Sequence, residues 1–360
     1  MKKALIITFT DSDNYGAFWQ AYALQKKCNE LCDTKLINYT RIKPTKISNK
    51  NIIKRSYFVI RKILHDIIIN KKKYRKFIED KEKYLELTIQ QYNKNNIIDI
   101  EQEDTFFITG SDQVWNPRNN KNDYSFLLNF VKDPNKRNSY AASFGGDYIP
   151  EKNREKYKEI LNTFKNISVR ELQGQKIIKD LIGKDVPTVL DPTLLLNKSD
   201  WEKSINYMIE NKEKYILIYS LSHSSKIIEH AKELSKKTGL KIKYLKTSLR
   251  TVIGTENIYH AGPEDFIKLF LGAEYVLTNS FHGTAFSINF NKKFFVELDT
   301  VAKVKNRITN ILEVLNLENR IINNNITNKL LDSIDYENVN KKLNKLRNDS
   351  INYLKNIFNQ

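Results

Sequence analysis

The sequence predicts an α/β protein of two Rossmann-like domains facing a cleft, with a helical insertion in the first domain. Three observations carry this. Short apolar runs alternate with helix-periodic segments, the alternation starts afresh after Trp201, and small polar residues cluster where the predicted strands end. At 360 residues the chain is longer than one ordinary core needs and suits two α/β units.

The elements follow in order. "ALIITF" reads as a strand, "TDSDNYG" as a loop and "AFWQAYALQKKCNEL" as a helix with Phe18, Tyr22 and Leu24 or Gln25 about one turn apart. "KLINY" then completes a βαβ unit, which implies a parallel sheet. Residues 41 to about 98 break the alternation: "KRSYFVIRKILHDIIINKKKYRKFIEDKEKYLEL" is basic, aromatic and helix-periodic, and reads as an inserted helical hairpin or arm. Such an arm either packs on the sheet as a solvated helix pair or touches a membrane or lipid-linked substrate. Further strands are expected at "DTFFITG", "RNSYAASFGG", "ISVRE" and "VPTVLDPTLLL", with a helix at "EKYKEILNTFKNI".

After a boundary near residues 196 to 212 a second set begins. "YILIYSL" is followed by a helix from about Lys226 to Lys237, then by "KIKYLK", "NIYHAG", the helix "EDFIKLFLGA", the strand Glu274 to Thr278 and "KFFVEL". The domains expected are 1–200 with the insertion at about 41–98, 201–334, and a C-terminal amphipathic helix over 335–360 that packs back across either domain.

Composition narrows the function. The hydrophobic content of 40% supports folded cores, and no run of 18 apolar residues is present to span a bilayer. The charged start and short apolar run of "MKKALIITFTDSDNYG" lead into charged and polar residues and not into a small-residue cleavage site, so the segment reads as a first strand of a cytoplasmic protein. A net charge of +18 would suit nucleic acid, but the excess is mostly lysine scattered among Asn and Ile, and no RNP, helix-turn-helix or zinc-finger pattern occurs. Nucleic acid is therefore not expected as a partner; small anions, or an anionic lipid surface met peripherally, are. Cys28 and Cys32 lie one helical turn apart without partners for a zinc set, and read as reduced thiols.

The chain lacks a G-x-S-x-G elbow, a G-x-x-x-x-G-K-[ST] phosphate loop and a G-x-G-x-x-G fingerprint, which disfavours common hydrolase, kinase and dehydrogenase readings. Asp11 and Asp13 have the spacing of an Asp-x-Asp metal motif, but two aspartates in a loop are common, and no metal is expected. "TNSFHGTAFSI" places His282 on a predicted strand-to-helix loop with Asn279, Ser280 and Gly283, where open α/β sheets bind ligands. Ser280 and His282 are too close in sequence for a nucleophile pair, so Ser280 is expected to donate a hydrogen bond. His65, His223, His230 and His260 read as structural. Asn14, Tyr15 and Gly16 face the same cleft from the first loop, with Gly16 open to close approach by an acceptor.

"NYGAFWQAYAL", "GSDQVWNP", "AASFG", "SVRE", "VLDPTLLL" and "TNSFHGTAFSI" occur in the order and spacing of the polysaccharide pyruvyl transferases, and the resemblance covers residues from about 4 to 320. It implies a GT-B-like arrangement of the two domains. It also implies transfer of the enolpyruvyl group of phosphoenolpyruvate onto a sugar of a cell-surface polysaccharide precursor, nucleotide-linked or lipid-linked, as a ketal, without a cofactor.

Arg170 matches the arginine the family uses for phosphoenolpyruvate, and a planar guanidinium suits phosphate and carboxylate alike; a plain salt bridge to Glu171 or another acid is the other reading. His282 matches the family's histidine, as general acid or as phosphate ligand. Asp112 is the carboxylate placed to accept the proton of the attacking hydroxyl, with Ser111 beside it and Gln113 and Trp115 set to hold the sugar; alternatively Ser111 and Asp112 cap a helix and Trp115 fills core. Many relatives carry arginine two residues before the histidine where this chain has Ser280, so Arg307 or a lysine such as Lys246 is expected to supply the charge. Two other readings stay open: a nucleotide-sugar glycosyltransferase, and a non-catalytic glycan-assembly partner docked through the arm at 50–85.

Overall fold

A computed structural model describes residues 3–42, 57–120, 123–207, 213–246, 251–298, 307–323 and 331–359, the side chains of 57–70 excepted. The predicted alternation folds as two five-stranded parallel sheets. In the first half the order along the chain is β1 (Lys3–Ile7), α1 (Tyr15–Asn29), β2 (Asp33–Tyr39), α2 (Tyr57–Tyr84), β3 (Leu87–Tyr92), β4 (Thr105–Thr109), α3 (Pro117–Asn120), β5 (Arg137–Ser139), α4 (Glu151–Asn162), α5 (Leu172–Ile182) and α6 (Lys198–Ser204). The second half runs β6 (Tyr215–Tyr219), α7 (Ser225–Thr238), β7 (Lys241–Leu245), β8 (Glu256–Ile258), α8 (Pro263–Gly272), β9 (Tyr275–Thr278), α9 (Phe281–Asn289), β10 (Lys293–Val296), α10 (Arg307–Leu315) and α11 (Tyr336–Phe358).

The strands are ordered β3-β2-β1-β4-β5 in one sheet and β8-β7-β6-β9-β10 in the other. Counted within each half, the two orders are the same. The direction of winding therefore reverses between β1 and β4, and again between β6 and β9. At such switch points the loops leaving neighbouring strands diverge and open a crevice beyond the carboxyl ends of the strands.

Three expectations need correction. The stretch 41–98 is no helical hairpin, because β3 follows the single helix α2 and joins the sheet beside β2, continuing the βαβ pattern. β3 is a polar, mostly exposed edge strand, so it leaves no apolar run to read. "ISVRE" and "VPTVL" pair only through isolated parallel bridges, Ala142 with Val169 and Val169 with Thr188. Finally, α9 begins at Phe281, which puts His282 in the first helical turn and not on the loop before it. The expected domain boundary includes residues 208–212, which lie outside the described residues, as do 43–56 of the arm.

α1 explains how the halves join. It is buried on nearly every side, with Phe18, Trp19, Ala21 and Leu24 inside, so it cannot show a clean amphipathic stripe. Tyr15 donates from its hydroxyl to the Ala261 carbonyl at 2.9 Å and stacks on Phe266, and Trp19 Nε1 donates to the Pro263 carbonyl at 2.8 Å. One apolar cluster thus runs from Ile6 and Ile108 of the first sheet to Leu217, Val276 and Phe294 of the second. α11 spans the same joint: Tyr336 donates to the Lys292 carbonyl, while Tyr353 donates to the Ser139 carbonyl at 3.0 Å and Phe358 packs on Phe106.

Candidate functional site

The four loops at the two switch points meet. Phe9, Ser12 and Asn14 follow β1, Asp112 and Gln113 follow β4, Leu221 follows β6, and Ser280, Phe281 and His282 follow β9; with Arg41, Tyr219 and Arg307 they line a cavity of about 320 Å³. A second cavity of about 180 Å³ adjoins it, sharing Phe281 and Arg307 and lined also by Arg170, Glu171 and Asp191. The Phe281 ring contacts both arginines, with the Arg170 guanidinium 4.9 Å and the Arg307 guanidinium 5.4 Å from its centroid.

Arg170 is the electrostatic centre. Its side chain is buried, Nη1 donates to Asp191 Oδ2 at 2.8 Å and reaches Ser111 Oγ at 3.4 Å, Nε faces Glu171 at 3.4 Å, and Nη2 lies 3.9 Å from Asp112 Oδ1. Burial opposes its charge, but Asp191, Glu171 and Asp112 outweigh it and raise the guanidinium above its ordinary value. Nη2 has no hydrogen-bond partner although it is fully enclosed. The salt-bridge reading and the anion-binding reading therefore coexist: two edges of the guanidinium are held by acids and one donor is left over.

His282 comes from the other half. Its Nε2 lies 3.7 Å from Asp191 Oδ2, too far for a hydrogen bond, and is likewise buried without a partner. Burial would raise the Asp191 carboxyl, but His282 and Arg170 hold it far below the usual carboxylate range. Arg307 moves the other way: burial, and the Arg170 charge across the Phe281 ring, lower it from the ordinary arginine value.

Asp112 stands at the mouth of β4 with φ of +74°, a left-handed conformation that strains a non-glycine residue. The turn is held because Asp112 Oδ1 accepts from the Gln113 N–H at 2.8 Å and its carbonyl accepts from the Ser143 N–H at 3.0 Å. This keeps the carboxylate at the cavity wall beside Gln113.

Asn14, Asp112, Gln113, Ser280, His282 and Arg307 line the first cavity. Asn14 also caps α1, its Oδ1 accepting from the Ala17 N–H at 3.0 Å. Ser280 also caps α9, its Oγ accepting from the Gly283 N–H at 3.4 Å. Other candidates are placed differently. Gly283 packs against Thr278 and Tyr219, and Asn279 ties the start of α9 to the loop after β6, accepting from the Leu221 N–H at 2.8 Å. Ser111 lies beneath the cavity, donating to Asp191 Oδ2 at 3.1 Å.

Tyr15 belongs to the joint between the halves and not to the cavity wall. Trp115 is core: it is fully buried against Phe144 and Phe164, and Nε1 donates to the Phe126 carbonyl at 3.0 Å, so it does not stack on a sugar. Gly16 admits the imidazole of His282, which a Cβ there would overlap, and not an acceptor. Lys246 lies with its ammonium over the Tyr244 ring and lines neither cavity, whereas Arg307 lines both.

Three polar residues of the site carry no signal that the sequence reading used. Asp191 and Glu171 entered the sequence reading only inside the motifs "VLDPTLLL" and "SVRE", Glu171 also as a partner of Arg170, and Arg41 only as one basic residue among many. Arg41 pairs with Asp11 at 2.7 Å and lies over the Phe9 ring, so Asp11 of the Asp-x-Asp pattern is engaged by an arginine. Among the described residues no group of three or more His, Cys, Asp or Glu side chains is arranged to hold a metal ion. No described helix is long and apolar enough to cross a membrane.

The profile of the family described as Polysaccharide pyruvyl transferase matches residues 14–296. Solved structures similar to this chain include UDP-GlcNAc 2-epimerase from Neisseria meningitidis bound to UDP-GlcNAc, at a TM-score of 0.46 and 11% identity over 100% of this chain and 94% of that one. UDP-GlcNAc 2-epimerase from Methanocaldococcus jannaschii has a TM-score of 0.46 and 10% identity over 96% and 92% of the two chains. A heptosyltransferase from E. coli with ADP has a TM-score of 0.40 and 10% identity over 85% and 89%. No curated protein matches the sequence.

Proposed function

Because the chain belongs to the polysaccharide pyruvyl transferase family, we propose that it moves the enolpyruvyl group of phosphoenolpyruvate onto two hydroxyls of a sugar in a polysaccharide precursor, forming a ketal and releasing phosphate. The observation that carries this reading is the meeting of Arg170, His282 and Asp112 at the switch points of two domains, with one enclosed donor of Arg170 and one of His282 left unpartnered.

In this reading Arg170 Nη2 and Arg307 meet the donor's oxyanions, and both guanidinium groups pack on Phe281. His282 delivers a proton to the methylene carbon, giving a methyl group and an electron-poor carbon that carries the phosphate oxygen. One sugar hydroxyl attacks that carbon and passes its proton to Asp112. The carbon–oxygen bond to phosphate then breaks with its electron pair, and the second hydroxyl closes the ketal, its proton leaving with the phosphate. The four residues supply charge and proton transfer without a cofactor. Asn14, Gln113 and Arg41 face the space left for the acceptor.

The test is calorimetric titration of phosphoenolpyruvate, then of UDP-sugars, into wild type, Arg170→Lys and Arg170→Ala, with circular dichroism to check folding. Removing one partner of a buried ion cluster costs about 3–5 kcal/mol, so the charge-retaining lysine is the informative variant: it loses the fork and weakens donor binding. His282→Ala binds phosphoenolpyruvate and releases phosphate at least about 100-fold more slowly. Wild-type binding and turnover in these variants would remove both assignments.

A second reading is favoured by one feature. Ser280 stands where many relatives carry arginine, and its hydroxyl is engaged as a helix cap, which suits a donor with less charge at that point. Binding of a UDP-sugar without phosphoenolpyruvate, and release of UDP, would establish nucleotide-sugar transfer instead.

A further inference from the structure

We propose that α2 seats the protein on an anionic membrane surface through its outward face. The inference concerns binding and stands independently of the pyruvyl-transfer reading; joined to that reading, it points to a lipid-linked acceptor.

The excess positive charge is uneven along the chain. Thirteen Lys or Arg and a single acid, Asp66, fall between Arg41 and Lys76, so about two thirds of the net charge of +18 lies in a tenth of the sequence. Seven of those bases belong to α2. Charge of one sign on this scale is drawn to an anionic lipid surface once it comes within a Debye length.

The two ends of α2 have different surroundings. Because β3 follows it and runs parallel to β2, α2 passes from the carboxyl edge of the first sheet to its amino edge. In its second half Lys76, Asp80, Lys83 and Tyr84 bind the start of α8. Lys73 is level with Tyr15, the first residue of α1, its ammonium 4.8 Å from the centroid of that ring. The helix begins at Tyr57, so about 24 Å of it lies beyond Tyr15, on the side of the carboxyl edge where the first cavity opens.

The outward face suits a lipid surface. Lys71, Tyr74, Arg75 and Ile78 stand at i, i+3, i+4 and i+7, opposite the face that meets α8, and all four are exposed, Tyr74 at 54% and Ile78 at 40%. Counted back along the helix by the same spacing, the row continues through Ile67, Leu64 and Ile60, with Arg61 and Lys72 on one flank and Asp66 on the opposite face. Glu79, paired with Arg75, and Glu82 mark where the cationic row ends. An apolar row bordered by bases is the pattern of a helix lying in the plane of a bilayer interface, where lysine and arginine reach outward to phosphate.

The experiment is flotation of the full chain with phosphatidylcholine vesicles, with and without about 30% phosphatidylglycerol. Wild type is compared with Tyr74→Ala/Ile78→Ala and with Lys71→Ala/Lys72→Ala. Lys152→Ala/Lys158→Ala, which removes the same charge from exposed positions of α4, is the control. Wild type and the control should float with the anionic vesicles alone, and less as salt rises. Each α2 variant should bind those vesicles at least about tenfold more weakly, with unchanged circular dichroism.

Wild type that stays in the soluble fraction, equal losses in the α2 lysine variant and the control, or unchanged binding in Tyr74→Ala/Ile78→Ala would each overturn the proposal. Tighter binding of duplex DNA than of anionic vesicles would make the partner a nucleic acid and overturn it too. So would self-association that Tyr74→Ala/Ile78→Ala abolishes while flotation persists, which would assign the face to a second copy of the chain. Flotation reads no turnover, so none of these outcomes bears on the donor.

Discussion

Gly16 shows how much can hang on one absent side chain. In the sequence it stands in "NYGAFW" as a loop glycine open to an acceptor, and nothing there says that an imidazole from residue 282 lies against it. Gly16→Ala should therefore act on chemistry more than on folding: the added methyl displaces His282, lowering the rate of phosphate release by about tenfold or more and stability by about 1–3 kcal/mol. Gly146→Ala, with open space around its Cβ position, is the control, and equal rates in both variants would show that the imidazole tolerates displacement. Trp115 teaches the converse. A tryptophan in a strand-end loop reads equally well as a sugar platform or as core, and only the rings of Phe144 and Phe164 around it decide. Asp191 was hidden for a related reason: its chemistry lies in three partners 21 to 91 positions away, which no local pattern encodes.

At the scale of elements, apolar strands were legible and polar ones were not. β1, β4, β6 and β9 are buried on both faces and leave continuous apolar runs, whereas β3 at the sheet edge leaves none. Reading β3 as part of a helical arm hid the task of α2. Its described side chains clamp the second half: Asp80 accepts from the Glu264 N–H at 2.8 Å at the start of α8, and Lys76 pairs with Asp265 at 2.6 Å. Lys83 and Tyr84 donate to Glu264, and Lys268 reaches its other oxygen at 2.8 Å.

Burial would raise the Glu264 carboxyl, but these hydrogen bonds bring it down to about 2 from an ordinary 4.5. The folded value lies below the unfolded one, so the clamp adds stability above about pH 4.5 and loses it as pH falls through about 2. Denaturant midpoints of wild type and Glu264→Gln should differ at pH 6 and converge at about pH 2. A constant gap between the two proteins would mean that the carboxylate charge plays no part in the clamp. Because these side chains are partly solvent-exposed, the gap is modest.

The whole molecule is wired twice in the same order, and its two sheets share one apolar cluster through α1. Interfaces of that kind suppress independent domain unfolding. Tryptophan fluorescence and far-ultraviolet circular dichroism should report a single denaturant transition, since Trp19 and Trp201 sit at the joint and Trp115 inside the first half. Two separated transitions would show that the joint is weaker than its burial suggests.

The double wiring was legible as two runs of alternating strands and helices; that both runs close in one strand order was not, because order is set by pairing between segments and not within them. The joint has a consequence for side reactions. Arg170 and Asp112 travel with one half and His282 with the other, so a cleft that gapes parts the acid from the groups that hold and activate the reactants. On the proposed chemistry, an acid that stands in place only while the halves are joined would not protonate the donor in a gaping cleft, where water would compete with the precursor sugar. On the proposed chemistry, thrift with an energy-rich metabolite is built into how the halves meet, without a separate lid.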